Sequence, residues 1–139
     1  MFFSTFDEVV GGTMDKSKSI LVVDDEAGIR FLLSEFLSSK GFRVSMAKDG
    51  QESLDQLERD HFDLVITDLN MPRLDGISML KKMEAAGRKE KVIIMSGNLS
   101  DHRLNNADIS GVVPQLEKPF MMNNFLNLVI ATIANNEMA

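Results

Sequence analysis

Residues 20–26 read ILVVDDE. Four consecutive aliphatic side chains, Ile20 to Val23, favour a strand covered on both faces, as in the middle of a parallel sheet. Asp24, Asp25 and Glu26 follow without a spacer and require water, hydrogen-bond donors or a cation. The stretch therefore predicts a buried strand whose carboxyl end opens onto polar chemistry.

Further runs rich in β-branched residues lie downstream: RVSMA (43–47), DLVITD (63–68), KVIIMS (91–96) and GVVPQLE (111–117). Helical periodicity fills the intervals. Ile29, Leu32, Leu33, Phe36 and Leu37 form one apolar face, with Gly41 placed to end that helix. Leu54 and Leu57 mark a second helix, and Ile77, Leu80 and Met83 a third that follows an Asp75-Gly76 turn. A fourth starts at Ser100 or Asp101 and is weakened by Asn105 and Asn106. Phe125, Leu128, Val129 and Ile133 define the last. Five strand-then-helix repeats predict an α/β domain, a flavodoxin-like doubly wound (βα)5 unit with parallel sheet order 2-1-3-4-5. In that order the ligand crevice lies beyond the carboxyl ends of strands one and three.

The 139 residues suit one domain with a real core, assigned to residues 19–136. Residues 1–18 read as a flexible N-terminal extension with a joint at Gly11-Gly12. Phe2, Phe3, Phe6, Val9 and Val10 nevertheless fall at helical spacing, which would let a short amphipathic turn dock on the domain or a partner. A formal charge of −6 and the lack of any Lys/Arg block argue against direct nucleic-acid binding. No apolar run reaches the roughly 18 residues of a membrane span. The absence of cysteine removes disulfides, thiolate zinc sites and cysteine nucleophiles, and fits a reducing, cytoplasmic setting.

The polar residues at the predicted strand ends form one set. Strand one ends on Asp24 and Asp25, strand three on Asp68 with Asn70 just after it, strand four on Ser96, and strand five on Lys118. Strands one, three and four are neighbours, and a lysine side chain starting about 10 Å from strand three can cross to it. Taken singly, each residue has a plainer role as a helix or turn cap, a solvated strand end or a surface charge. Together, three aspartates and one lysine leave a charge that one divalent cation neutralises. Hard oxygen donors, with no His or Cys beside them in sequence, select Mg²⁺, with Mn²⁺ as the substitute. His61 and His102 receive no role, and the methionines read as core filler.

With these residues in hand, the chain resembles the receiver domain of bacterial two-component response regulators, including the single-domain chemotaxis type. ILVVDDE, DLVITDLNMPRLDG, VIIMSG and EKPF carry the resemblance, in the family's order, over about residues 19–135. The resemblance implies that Asp68 is the phosphoacceptor, taking a phosphoryl group from a histidine kinase or phosphotransfer protein. It implies Mg²⁺ held by Asp25 and Asp68, by Asp24 directly or through water, and by the Asn70 backbone carbonyl. Lys118 and the cation would stabilise the transferring phosphoryl oxygens, and Ser96 would report the phosphoryl group's presence. A cis Lys118-Pro119 peptide would fix the lysine's exit from its strand. Asp75-Gly76 would build the loop beneath the site.

One position departs from the family pattern. Gln115 stands three residues before Lys118, where the family carries an aromatic switch residue. The expectation is a signal passed through the loop after Ser96 and the fourth helix. Only 21 residues follow Lys118, so the chain is expected to work as a stand-alone phosphorelay switch. Its output would go to an unidentified partner protein, through the fourth helix, fifth strand and last helix. Such a protein catalyses only its own phosphorylation and dephosphorylation. A Mg²⁺-dependent phosphohydrolase is the competing class, disfavoured because Asn70 occupies the place of that class's general acid and little chain remains for a substrate cap. A degenerate scaffold is disfavoured because the acids, Ser96 and Lys118 are all present.

Overall fold

The computed structural model describes residues 17–97 and 114–134. Five short strands, β1 (Ser19–Val23), β2 (Arg43–Ala47), β3 (Leu64–Asp68), β4 (Lys91–Ser96) and β5 (Gln115–Glu117), form one sheet. Every pairing is parallel and the order is β2-β1-β3-β4-β5. This is the doubly wound, flavodoxin-like arrangement expected from the alternation of strands and helices. The described helices are α1 (Ala27–Ser39), α2 (Gly50–Arg59), α3 (Gly76–Ala85) and, after β5, α4 (Met122–Ala134).

Strand pleating divides the aliphatic runs between two cores. Leu21 and Val23 join Val65 and Ile94 under α2 and α3, against Leu57, Ile77, Met79, Leu80 and Met83. Ile20 and Val22 join Leu64, Ile66, Ile93 and Met95 on the opposite face, against Leu33 and Leu37 of α1 and Phe125 and Val129 of α4. The central strands are therefore apolar along most of their length because both of their faces are buried.

Two helix starts are fixed by side-chain caps. Asp49 caps α2, accepting the Glu52 N–H at 2.8 Å, and Glu52 Oε1 accepts the Lys48 N–H at 2.7 Å. Asp75 caps α3 by accepting the Ser78 N–H at 2.8 Å. Gly41, at φ +97°, follows the Lys40 cap of α1 in the left-handed conformation expected of it.

Two expectations need correction. Leu32 does not belong to the buried face of α1: it is 54% exposed, beside Phe31 at 58%. The stripe is centred on Leu33 and Leu37 and takes in Ser34 instead, two residues and about 200° around the axis from Leu32. Strand five is also shorter in the described chain, Gln115–Glu117, with Pro114 before it. The expected fourth helix, the segment 96–109 expected to carry the signal (beyond Gly97), His102 and residues 111–113 lie outside the described residues. So do residues 1–16. No described helix is long and apolar enough to cross a membrane.

Candidate functional site

Parallel pairing sets Val23 beside Thr67, so the next residues, Asp24 and Asp68, emerge side by side at the sheet's carboxyl edge. Asp68 also pairs with Met95 of β4, and Ser96 with Glu117 of β5. The Lys118 N–H donates to the Ser96 carbonyl at 2.7 Å, which carries β5 alignment one residue beyond the strand. The sheet thus gathers Asp24, Asp68, Ser96 and Lys118 from positions scattered over 94 residues of chain.

Asp24 is fully buried, and both of its carboxylate oxygens are engaged. Oδ1 accepts the Glu26 N–H at 2.9 Å, and Oδ2 faces Lys118 Nζ at 3.1 Å. Glu26 takes the N-cap position of α1 without a side-chain cap bond, so the helix start is held by Asp24 from two residues upstream. Asp25, by contrast, is exposed at the mouth.

Asp68 is 8% exposed. Its Oδ1 accepts the Leu69 N–H at 2.9 Å, and its Oδ2 lies 3.4 Å from Lys118 Nζ. Burial raises the Asp68 pKa above the ordinary carboxylate value; Lys118 opposes the rise and Asp24 adds to it. For Lys118, burial favours the neutral amine, but the hydrogen bond to Asp24 and the charges of Asp24 and Asp68 outweigh it. The lysine pKa is therefore raised, and the ammonium is held charged between two carboxylates.

Oxygens of Asp24, Asp25 and Asp68 can be chosen that all lie within 4.8 Å of one another. The three donors are hard carboxylates of graded exposure, a set that suits a small divalent cation open to water on one side. Asn70 lies at the exposed start of the loop after β3. The Gly76 N–H ties the far end of that loop to the Leu69 carbonyl at 2.9 Å. A Cβ on Gly76 would come within 2.6 Å of the Asp68 carbonyl oxygen, so glycine is what lets α3 begin directly beneath the site.

Ser96 is fully buried at the end of β4, and the Lys118-Pro119 peptide is cis, as expected. Phe120 stacks on the buried Phe125 with ring centroids 5.4 Å apart, anchoring the turn that carries Lys118 on the α4 core. Gln115 is exposed on β5, in register with Ile94. His61, given no role, is exposed at the opposite edge of the sheet.

Sequence reasoning overlooked two groups. Arg30, on the second turn of α1, donates from Nη1 to the Asp24 carbonyl at 2.8 Å and braces the strand end from outside. Asp49 is buried and lies 3.4 Å from Arg73 Nε of the loop after β3. A capping-box signal, Asp49-x-x-Glu52 ahead of an amphipathic run, was present for the second. No short-range signal marks the first.

A family model described as the response regulator receiver domain matches residues 20–130. Sporulation initiation phosphotransferase F of Bacillus subtilis is 32% identical over 113 residues, covering 81% of this chain and 91% of the relative. The transcriptional regulatory protein FixJ of Bradyrhizobium diazoefficiens is 37% identical over 120 residues, 86% of this chain. This chain spans only 58% of that relative's length. Among solved structures, the receiver domain of a sensor histidine kinase from Pseudomonas aeruginosa superposes with a TM-score of 0.77 at 26% identity. That match covers 86% of this chain and 100% of the other, which carries a magnesium ion in its active-site cleft. The resemblance carried by four short motifs thus extends from the first core strand into the last helix, and the chain belongs to the response regulator receiver domain family of two-component signalling.

Proposed function

We propose that the chain is a phosphorylatable switch that accepts a phosphoryl group on Asp68 from a histidine kinase or phosphotransfer protein. The observation that carries this reading is the placement of the Asp68 carboxylate, facing Lys118 Nζ at 3.4 Å and clustered with Asp24 and Asp25. A carboxylate oxygen of Asp68 attacks phosphorus, a P–O bond forms, and the P–N bond to the donor imidazole breaks with its electron pair returning to nitrogen. The Leu69 N–H orients the nucleophile through Oδ1. The Lys118 ammonium, already charged and aimed at Asp68, offsets negative charge on the phosphoryl oxygens. Ser96, at the end of the neighbouring strand, is the group assigned to sense the acyl phosphate.

Mg²⁺ is the cofactor assigned to the acidic cluster, with Mn²⁺ as a substitute. Asp25 and Asp68 would hold it with the Asn70 backbone carbonyl, and Asp24 directly or through water. When bound, it supplies Lewis-acid stabilisation of the phosphoryl oxygens and offsets the carboxylates' mutual repulsion. The commitment of both Asp24 oxygens to Glu26 and Lys118 supports giving the direct bonds to Asp25 and Asp68.

Residues 19–136 are taken as the receiver unit and residues 1–18 as an extension. The single-domain reading, with output through a partner protein, is supported by the phosphotransferase of which the chain spans 91%. We place the protein in the cytoplasm and assign it no catalysis beyond its own phosphorylation and dephosphorylation. Gln115, exposed in place of the family's aromatic residue, leaves the signal to segment 96–109. Incubation with a small acyl-phosphate donor and Mg²⁺, read by intact mass against Asp68→Asn, tests the proposal.

A further inference from the structure

The turn between β2 and α2, residues 48–49, together with Gly50 at the first position of α2, offers the acidic cluster no ligand but touches both elements that do. On one side, the carbonyl of Ala47, the residue just before it, accepts the Asp24 N–H at 3.1 Å. On the other, the Gly50 N–H donates to the Leu74 carbonyl at 3.2 Å, and buried Asp49 lies 3.4 Å from Arg73 Nε. Leu74 and Arg73 belong to the loop that begins with Asn70.

That loop is under strain. The Leu74 N–H donates to the Pro72 carbonyl at 2.7 Å, closing a three-residue turn centred on Arg73. Arg73 sits at φ +69°, the one left-handed residue other than glycine among those described. Such a backbone persists where its surroundings hold it. The Arg73–Asp49 pair alone is a weak restraint, because the arginine side chain is 57% exposed. The close approach at Gly50 is the stronger tie. A Cβ there would overlap the Leu74 carbonyl oxygen and lie 2.9 Å from Leu74 Cβ.

We propose that the β2–α2 turn is a positioning element of the cation site, a strap that joins the strand end bearing Asp24 to the loop bearing Asn70. The inference rests on the assignment of Mg²⁺ to that site. It makes Gly50 a requirement of metal binding, although its distance along the chain from every ligand gives no hint of this. Alanine at the first residue of a helix ordinarily helps the helix. A loss at Gly50→Ala is therefore attributable to the displaced loop.

Calorimetric titration of MgCl₂ into the full chain, without phosphodonor, tests the strap together with thermal unfolding. Gly50→Ala is expected to lower Mg²⁺ affinity at least fivefold while retaining a cooperative transition. Gly28→Ala, whose added Cβ meets nothing within 4 Å among the described residues, is expected to leave it unchanged. A folded Gly50→Ala within twofold of wild type overturns the strap alone. Wild type with no saturable Mg²⁺ binding overturns the metal assignment and the strap with it. Should Gly50→Ala fail to fold, Asp49→Ala is expected to weaken Mg²⁺ binding at least threefold. Asp49→Asn, which can still cap α2 and accept from Arg73, is expected to recover most of that loss. No loss in Asp49→Ala, or an equal loss in both, assigns nothing to geometry and overturns the strap.

Discussion

Lys118 and Asp24 stand 94 residues apart in the chain and 3.1 Å apart in the fold, with the carboxylate wholly buried. Among the described residues Asp24 has no other full positive charge against it, since Arg30 donates to its backbone carbonyl and not to its carboxylate.

Removing the lysine therefore strands a buried charge. Without Mg²⁺, Lys118→Ala is expected to destabilise the fold by about 3 kcal/mol, and Asp24→Asn in the same background to recover part of the loss. Urea unfolding of the two single variants and the double variant measures the coupling. Strictly additive losses would contradict it.

Asp68 makes the opposite contribution to stability at neutral pH. Its folded pKa is raised by burial, so the native state favours the protonated carboxyl. The stability this brings is complete below the unfolded carboxylate value of about 3.9 and is lost as pH rises through the higher folded value. Asp68→Asn is accordingly expected to be more stable than wild type at neutral pH, with the gap closing as pH falls towards 4. Denaturant melts across that range check the sign, and a gap that widens on acidification contradicts it.

The buried stripe of α1 makes a sharper claim about packing. Leu33→Ala is expected to cost about 2–5 kcal/mol and the exposed Leu32→Ala well under about 1 kcal/mol. Ser34 Oγ is buried with no hydrogen-bond partner among the described residues. Ser34→Ala is therefore expected to be neutral or stabilising by up to about 1 kcal/mol. Equal losses at positions 32 and 33 would mean that the helix packs through a different face.

The contrast between these positions shows what the sequence could disclose. Asp24, Asp68, Ser96 and Lys118 were legible as one site because a parallel sheet brings consecutive strand ends to one edge, and the aliphatic runs mark those ends. Leu32 misled because helical periodicity gives the width of an apolar face but not which edge of it meets the sheet. The Gly50–Leu74 and Arg30–Asp24 contacts were illegible for another reason. They join backbone groups across loops, and backbone acceptors carry no residue-type signature.

Phosphoryl transfer to Asp68 is the central claim. The chain should be incubated with a small acyl-phosphate donor, with and without Mg²⁺, and its intact mass followed. Wild type is expected to gain the mass of one phosphoryl group only when Mg²⁺ is present, and Asp68→Asn to gain none. An unlabelled wild type, or Asp68→Asn labelled to the same extent, would contradict the account.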